Sequence, residues 1–406
     1  MQTKSKAVPK LRFKEFSDNW KVMRLEDITE KIQDGTHFSP IQMEKGNYKY
    51  LTSKNIRNGF MDLNDVAFLS DEAHREIYQR CDVKFNDILL TKDGASTGAV
   101  CLNELNEEFS LLSSVAFLRA NKALAVNGFL YQIMAGPKGQ QEIQASIAGQ
   151  AITRITLSKI RNYKFFFPTL PEQQKIASFL SAIDEKIQQL TRKKELLEQY
   201  KKGVMQQLFA GKLRFKNENG KAYPKWEMVG GDKLFDCISD KKHNSDLPIL
   251  AITQEQGAIP RDMINYQMSV TESSIASYKV VQEGDFIISL RTFQGGIEYS
   301  KYKGICSPAY NILRPNSPNV DRNFYRYYLK TSRYIMQLQK NLEGIRDGKM
   351  ISYKYFAEIK LPFPSREEQQ KIANFLSGID TKIESVANQI TQTQMFKKGL
   401  LQQMFV

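Results

Sequence analysis

Histidine is scarce in this chain, with three in 406 residues, so a His-based metal or nucleophile site is poorly supplied. The four cysteines, Cys81, Cys101, Cys237 and Cys306, are scattered with no Cys-x-x-Cys pair. That excludes the usual structural zinc spacing and suits a reducing, cytoplasmic setting. No run of about 18 apolar residues occurs, so no membrane span is expected. The opening MQTKSKAVPKLRF has no apolar stretch of the secretory kind. No GxxxxGK[ST] phosphate loop is present. The DEAH stretch at 71–74 therefore has no nucleotide cradle to serve, and GIRDGKM (344–350) has only three residues between its glycines and no Ser or Thr after its Lys. A Gly-rich cofactor loop and an Asn/Asp-Pro-Pro-aromatic amino-methylation motif are also missing. The expectation is a chain with no catalytic site, no metal and no cofactor of its own.

What remains is basic and able to fold. Apolar residues make up 41% and aromatics 11%, enough to build cores, and the length favours two or three domains. The net charge is +14, divided as +4 over 1–168, +2 over 169–210, +7 over 211–364 and +1 over 365–406. The excess lies mainly in the two large blocks rather than in a tail, which favours a polyanionic partner, nucleic acid first.

The strongest signal is a repeat. Residues 172–184 read EQQKIASFLSAID and residues 368–380 read EQQKIANFLSGID, eleven identities in thirteen at an offset of 196. Each copy opens an apolar stripe of alternating four and three spacing. The first holds Ile176, Leu180, Ile183, Ile187, Leu190, Leu197, Val204 and Leu208; the second holds Ile372, Leu376, Ile379, Ile383, Val386, Ile390, Leu400 and Met404. Lys194 and Lys201 interrupt one, Thr393 and Lys397 the other. A 3.5-residue period this long predicts coiled-coil helices of about 40 residues. Thr169 with Glu172 and Ser365 with Glu368 fit capping boxes, prolines 168, 362 and 364 hold the preceding chain out of helix, and Gly211 is placed as the first helix's stop. Two such seams in one chain can cover each other, antiparallel if the intervening blocks sit at opposite ends.

The repeat continues more faintly outside the helices. Lys10-Leu11-Arg12-Phe13 returns as Lys212-Leu213-Arg214-Phe215, Trp20 as Trp226, and FNDILLTKDGASTG (85–98) faces GDFIISLRTFQGG (284–296), with Asp87 over Asp285 and Gly98 over Gly296. The expected fold is mixed α/β (α+β) with an internal pseudo-two-fold repeat: a block at 1–168, a helix at 169–210, a second block at 211–364 and a second helix at 365–406, the helices packed as an antiparallel coiled coil.

The duplicated EQQKIAxFLSxID openings, the Lys-x-Gly-x-x-Gln-Gln-apolar-Phe endings (Lys201 to Phe209 and Lys397 to Phe405) and IQDGTH (32–37) together resemble the specificity subunit of type I restriction–modification systems, over the whole chain. The resemblance implies that each block is a target-recognition domain reading one half of a split site in double-stranded DNA. It implies that the coiled coil sets the spacing, and that two methyltransferase (modification) subunits dock on the helices. Restriction subunits carrying the motor and nuclease would join for cleavage. S-adenosylmethionine and ATP with Mg would then sit on those partners, and none on this chain.

Base reading needs Arg or Lys for guanine and Asn or Gln for adenine, on loops that can enter a groove. In the first block Lys54, Asn55, Arg57, Lys92, Ser96, Thr97, Gln150 and Arg154 fit; in the second, Gln254, Gln256, Arg291, Gln294, Arg346 and Lys349. His37, beside Gly35, is read as a hydrogen-bonded loop residue. On the helices, Gln173, Lys175, Gln206 and Gln207 match Gln369, Lys371, Gln402 and Gln403. Shared outward polar residues at equivalent places are expected to meet a common partner. The rival to a DNA reader is a scaffold of two adhesive domains on a coiled-coil spacer; the salt dependence of DNA binding separates the two.

Overall fold

The structure, a computed structural model, describes residues 8–147, 153–244, 246–264, 272–290, 292–340 and 351–406. Its compact units cut across the sequence. One comprises the chain up to Arg192 together with Ala387–Val406; the other is Lys193–Val386.

The first unit is built on a four-stranded antiparallel sheet of β1 (Thr29–Asp34), β2 (Ile88–Thr91), β3 (Val100–Leu102) and β4 (Val115–Ala120), in the order β1-β4-β2-β3. All six residues of β4, VAFLRA, are buried. Alternation sends Ala116 and Leu118 into one apolar cluster and Val115 and Phe117 into another, so the sheet lies between two cores. Arg119 is the charge in this run. Asp87 neutralises it with two hydrogen bonds of 3.0 and 2.7 Å while also accepting from the Lys84 amide. The first cluster includes helix α1 (Asn127–Ala135), the opening of helix α2 (Leu170–Phe209) and, from the far end of the chain, Leu400, Leu401, Met404 and Phe405. The DEAH stretch is structural: His74 is buried, with its ring stacked on Tyr48 at 3.7 Å.

The second unit repeats this plan. Strands β5 (Phe235–Ile238), β6 (Phe286–Ile288), β7 (Glu298–Tyr299) and β8 (Asn311–Pro315) pair in the order β5-β8-β6-β7. Asp285 takes the part of Asp87, binding Arg314 at 2.8 and 2.7 Å and the Gln282 amide. Helix α3 (Arg322–Tyr328) stands where α1 does, and helix α4 (Arg366–Met404) opens this unit's framework. Its core joins Val204, Leu208 and Phe209 to Ile372, Leu376 and Ile379.

Every seam position is buried or half-buried, and within each unit the two helices run antiparallel. Asp184, early in α2, accepts from Lys397, late in α4, at 2.6 Å; in the other unit Lys201 meets Asp380 at 2.6 Å. Two of the lysines that interrupt the stripes, Lys201 and Lys397, are therefore cross-helix partners of the aspartates that close each EQQKIAxFLSxID, whereas Lys194 pairs with Glu198 on its own helix. Each aspartate also accepts from its own domain, Asp184 from Gln132 at 2.8 Å and Asp380 from Tyr327 at 2.7 Å.

The capping boxes are half right. Ser365 accepts from the Glu368 amide at 3.4 Å, but neither glutamate turns back to its own helix start. Glu172, fully buried, takes a fork from Arg12 (2.7 and 2.7 Å) and the Trp20 indole (3.4 Å); Glu368, equally buried, takes Arg214 (3.0 and 2.7 Å) and Trp226 (2.8 Å). The faint Lys-Leu-Arg-Phe…Trp repeat is thus the other half of the helix repeat, and antiparallel ribbons hold it in place: Lys21–Arg24 on Lys164–Phe167 and Glu227–Gly230 on Lys360–Phe363.

Helix α2 stops as expected. Gly211 has φ +71°, and the Gly211 and Lys212 amides return to the Leu208 and Gln207 carbonyls at 3.0 and 3.0 Å, a Schellman closure. A Cβ there would meet nothing within 4 Å. Gly211→Ala is therefore expected to cost only the left-handed backbone, about 1 kcal/mol, measurable by chemical denaturation. A loss of several kcal/mol would mean that the turn makes contacts beyond its backbone.

Candidate nucleic-acid interface

In the first unit, three loops predicted to read DNA come together beyond the end of β2. The Ser96 hydroxyl donates to the Ser53 carbonyl (3.1 Å). Thr97 donates to Gly94 (2.6 Å) and shares a hydrogen bond with the Thr153 hydroxyl (3.0 Å), and Asp93 bridges to Arg154. Lys54, Arg57 and Arg154 are exposed around this junction, each beside an acid: Lys54 to Asp65 at 2.9 Å, Arg57 to Asp62 at 3.7 Å and Arg154 to Asp93 at 3.4 Å. The hairpin carrying Arg57 turns at Asn58-Gly59, with Gly59 at φ +90° and Phe60 exposed beyond it.

Two expectations are corrected. Asn55 is buried and spends its amide inside its own loop, accepting from the Thr52 amide (3.0 Å) and donating to the Asp62 and Asp65 carbonyls (3.0 and 2.9 Å). Lys92 is 2% exposed, held 3.1 Å from Asp93 and 3.4 Å from Asp34. Residue type suits both to base reading, but burial takes both away from a groove. Asp34 also ties the IQDGTH stretch to this junction: His37 lies 3.3 Å from it, and the half-exposed Arg80 donates to the Gly35 carbonyl and stands 3.5 Å from the same carboxylate. Arg80 was missed because it lies 45 residues from the loop it supports. Gln150 lies outside the described residues.

In the second unit the hairpin Leu250–Thr253/Gly257–Pro260 lifts Gln254, Glu255 and Gln256 into solvent. The Gln254 amide donates to Gln294 at 3.4 Å, bringing two predicted readers together, and a Cβ on Gly295 would come within 2.9 Å of the Gln254 side chain. Lys330 donates to the Gln254 carbonyl (3.4 Å) and to Glu298 (2.5 Å). Glu298 is 2% exposed, and burial pushes its carboxyl up to about 7 against the pull of Lys330. Neither residue carries a sequence signal. Arg291, Arg346 and Lys349 lie outside the described residues.

On the helices, Gln173 and Gln369 are also corrected. Both are buried and act as mirrored clamps on the adjoining domain. Gln173 accepts from the Val126 amide at the start of α1 (3.0 Å) and donates to Pro168 and Leu124 carbonyls (3.0 and 3.2 Å); Gln369 accepts from the Asp321 amide at the start of α3 (2.8 Å) and donates to Pro364 and Asn319 (2.8 and 3.1 Å). Lys175 pairs with Glu15 and Lys371 donates to the Lys216 carbonyl. Gln206, Gln207, Gln402 and Gln403 are exposed. So are Tyr200 and Phe396, equivalent at the 196-residue offset and each more than half exposed.

Among the described residues, no group of three His, Cys, Asp or Glu side chains could hold a metal ion, and no helix is long and apolar enough to cross a membrane. Burial pushes the Cys81, Cys101 and Cys306 thiols up to about 12, far from a nucleophile's range.

The family model described as the type I restriction modification DNA specificity domain matches twice, over residues 17–199 and 231–393. Two relatives from Methanocaldococcus jannaschii, the MjaX and MjaVIII type I restriction enzyme specificity subunits, are 28% and 27% identical; the alignments cover 95% of this chain in each case and 93% and 91% of those proteins. The crystal structure of the S subunit of a type I restriction–modification system from M. genitalium aligns over 98% of this chain and 99% of that one, with TM-score 0.61 at 17% identity. A chain from a study of complex assembly in the type I system aligns over 94% and 96%, with TM-score 0.51 at 17% identity.

Proposed function

From the premise that this chain belongs to the type I restriction–modification DNA specificity family, we propose that its two halves each read one part of a split site in double-stranded DNA. It is the non-catalytic specificity subunit of a cytoplasmic complex, recognising DNA sequence while its partners carry out the chemistry. The target-recognition domains are 1–168 and 211–364; the helices 169–210 and 365–406 set the gap, about one helical turn or 34 Å between half-sites. Lys54, Arg57, Ser96, Thr97, Gln150 and Arg154 serve the first half-site. Gln254, Gln256, Arg291, Gln294, Arg346 and Lys349 serve the second. The cations divide between bases and phosphates, and the glutamines suit adenine.

One observation carries this reading. The two units repeat their framework contact for contact, through Asp184 and Asp380, Glu172 and Glu368, Gln173 and Gln369, yet present different side chains on their loops. A duplicated frame with unlike tips suits two copies of one partner and two unlike targets. Two methyltransferase subunits dock on the exposed helix faces, at Tyr200, Gln206 and Gln207 in one half and Phe396, Gln402 and Gln403 in the other. They bring S-adenosylmethionine, and restriction subunits bring ATP and Mg.

The test is to assemble the chain with its methyltransferase, map methylated positions across a genome, and repeat the mapping after exchanging residues 211–364 for those of a relative. A split motif with constant gap, changed in one half only, is the expected result. A continuous motif, or a change in both halves, overturns the reading and brings the protein-scaffold alternative forward.

A further inference from the structure

The two halves differ at one buried place beneath the second reading hairpin. In the first half β2 and β3 pair Leu89 with Cys101; in the second the equivalent pair is Ile287 with Glu298. Likewise the two helices start at residues held by the framework glutamines, Val126 and Asp321, so Lys330 stands where the first half has Ala135 at the end of α1. Two uncharged positions, Cys101 and Ala135, have thus become an ion pair, with Glu298 2% exposed and one of its oxygens, Oε2, buried without a hydrogen-bond partner among the described residues. Such a pair is a poor source of stability, since desolvation cancels most of the attraction. What it provides is position. The Lys330 ammonium is anchored 2.5 Å from Glu298 and reaches the Gln254 carbonyl at 3.4 Å, at the hairpin tip where Gln254 meets Gln294. The hairpin also leans on the same strand: Gly257, at φ +77°, lies where a Cβ would come 2.5 Å from the Tyr299 carbonyl.

We propose that Glu298 and Lys330 are positioning residues for base recognition by the second half, fixing the backbone of Gln254 so that the Gln254–Gln294 pair is presented in one geometry. This rests on the reading of 211–364 as a target-recognition domain. At the equivalent positions the first half carries Cys101 and Ala135, and among the described residues its loops are held by Lys92 with Asp34 and Asp93 instead.

The pair also gives the proposal a signature. Among the described residues, the charged groups acting on Glu298 are Lys330 and, from the hairpin, Glu255. With its carboxyl raised to about 7, Glu298 favours the folded state most below the ordinary glutamate range, and that contribution is lost as pH rises through about 7. The ion pair with Lys330 forms in the opposite direction. Discrimination at the second half-site is therefore expected to sharpen between about pH 6 and 8, just where Glu298's contribution to stability declines.

The experiment uses the full chain assembled with its methyltransferase. Methylation is measured on duplexes carrying single changes in either half-site, for wild type, Glu298→Gln, and the double variant Glu298→Cys with Lys330→Ala, which copies the first half's own residues. Both variants are expected to lose about tenfold in discrimination at the second half-site, leave the first unchanged, and flatten the pH profile there, with the double variant melting no lower than wild type. Wild-type discrimination in the double variant, or a wild-type profile already flat in pH, overturns the proposal. If wild type itself methylates no split motif, the underlying functional reading fails first, and the two failures are distinct.

Discussion

Deleting the last seven residues, Leu400–Val406, is expected to unfold the domain at the opposite end of the sequence and leave the nearer one folded. Leu400, Leu401, Met404 and Phe405 are each at most 8% exposed, and all belong to the first unit's main core. The Phe405 ring stands 6.3 Å from Trp20 and 5.4 Å from Phe129. At about 1.5–3 kcal/mol for each buried side chain, their loss removes roughly 6–12 kcal/mol. A whole domain is stable by only about 5–15 kcal/mol. Hydrogen exchange on the truncated chain should show protection lost across β1, β4 and α1 and retained across β5, β6 and α3. Uniform loss, or loss confined to the second unit, would refute the assignment of the C-terminal turns to the first core. Phe396→Ser, at a residue 58% exposed, is the control and should leave protection intact.

The second large effect lies in the Arg–Glu–Trp lock. Arg214→Met leaves Glu368 fully buried with Trp226 alone as its donor, and stranding a buried charge costs about 3–5 kcal/mol. In a unit of this size that lowers the melting temperature by roughly 6–20 °C. Glu368→Gln should cost less, because the Arg214 side chain keeps 27% of its surface in water and can be solvated, while the new amide still accepts from the indole. Arg214→Met with Glu368→Leu should recover most of the loss, since an apolar pair needs no desolvation. Calorimetry on the three variants decides it: an Arg214→Met chain as stable as wild type would show that the fork contributes nothing. Arg12→Met should act in the same way on the first unit through Glu172.

These residues also mark how far sequence reasoning reaches. The long helices and their seam were legible because a heptad stripe is local and was written twice. The ends of each EQQKIAxFLSxID were visible but misassigned. Glu172 looked like a cap and Gln173 like an outward docking residue, because their partners stand 160 and 47 residues away. Periodicity reports which face a side chain occupies and not what covers that face. The loops singled out from sequence do meet in space, through Ser53, Ser96 and Thr153 in one half and Gln254 with Gln294 in the other. Within them Asn55 and Lys92 were misread, because the chemistry that suits a residue to a base edge suits it equally to a buried acid or carbonyl. Glu298 and Lys330 gave no signal, as a charged pair in a diverged repeat is visible only once strand register aligns Glu298 with Cys101 and the helix starts align Lys330 with Ala135.

The division of the chain into units has a further meaning during synthesis. Lys193–Val386 is an unbroken stretch, whereas the unit begun first needs Ala387–Val406 to complete its core. A polypeptide emerging from the ribosome therefore holds the material for its second unit before it can finish its first. Until the final turns of α4 arrive, the surface around Trp20, Phe129 and Leu180 lacks its cover. Order of completion is the reverse of order of translation, and a prematurely terminated chain carries its defect in the domain that was made first.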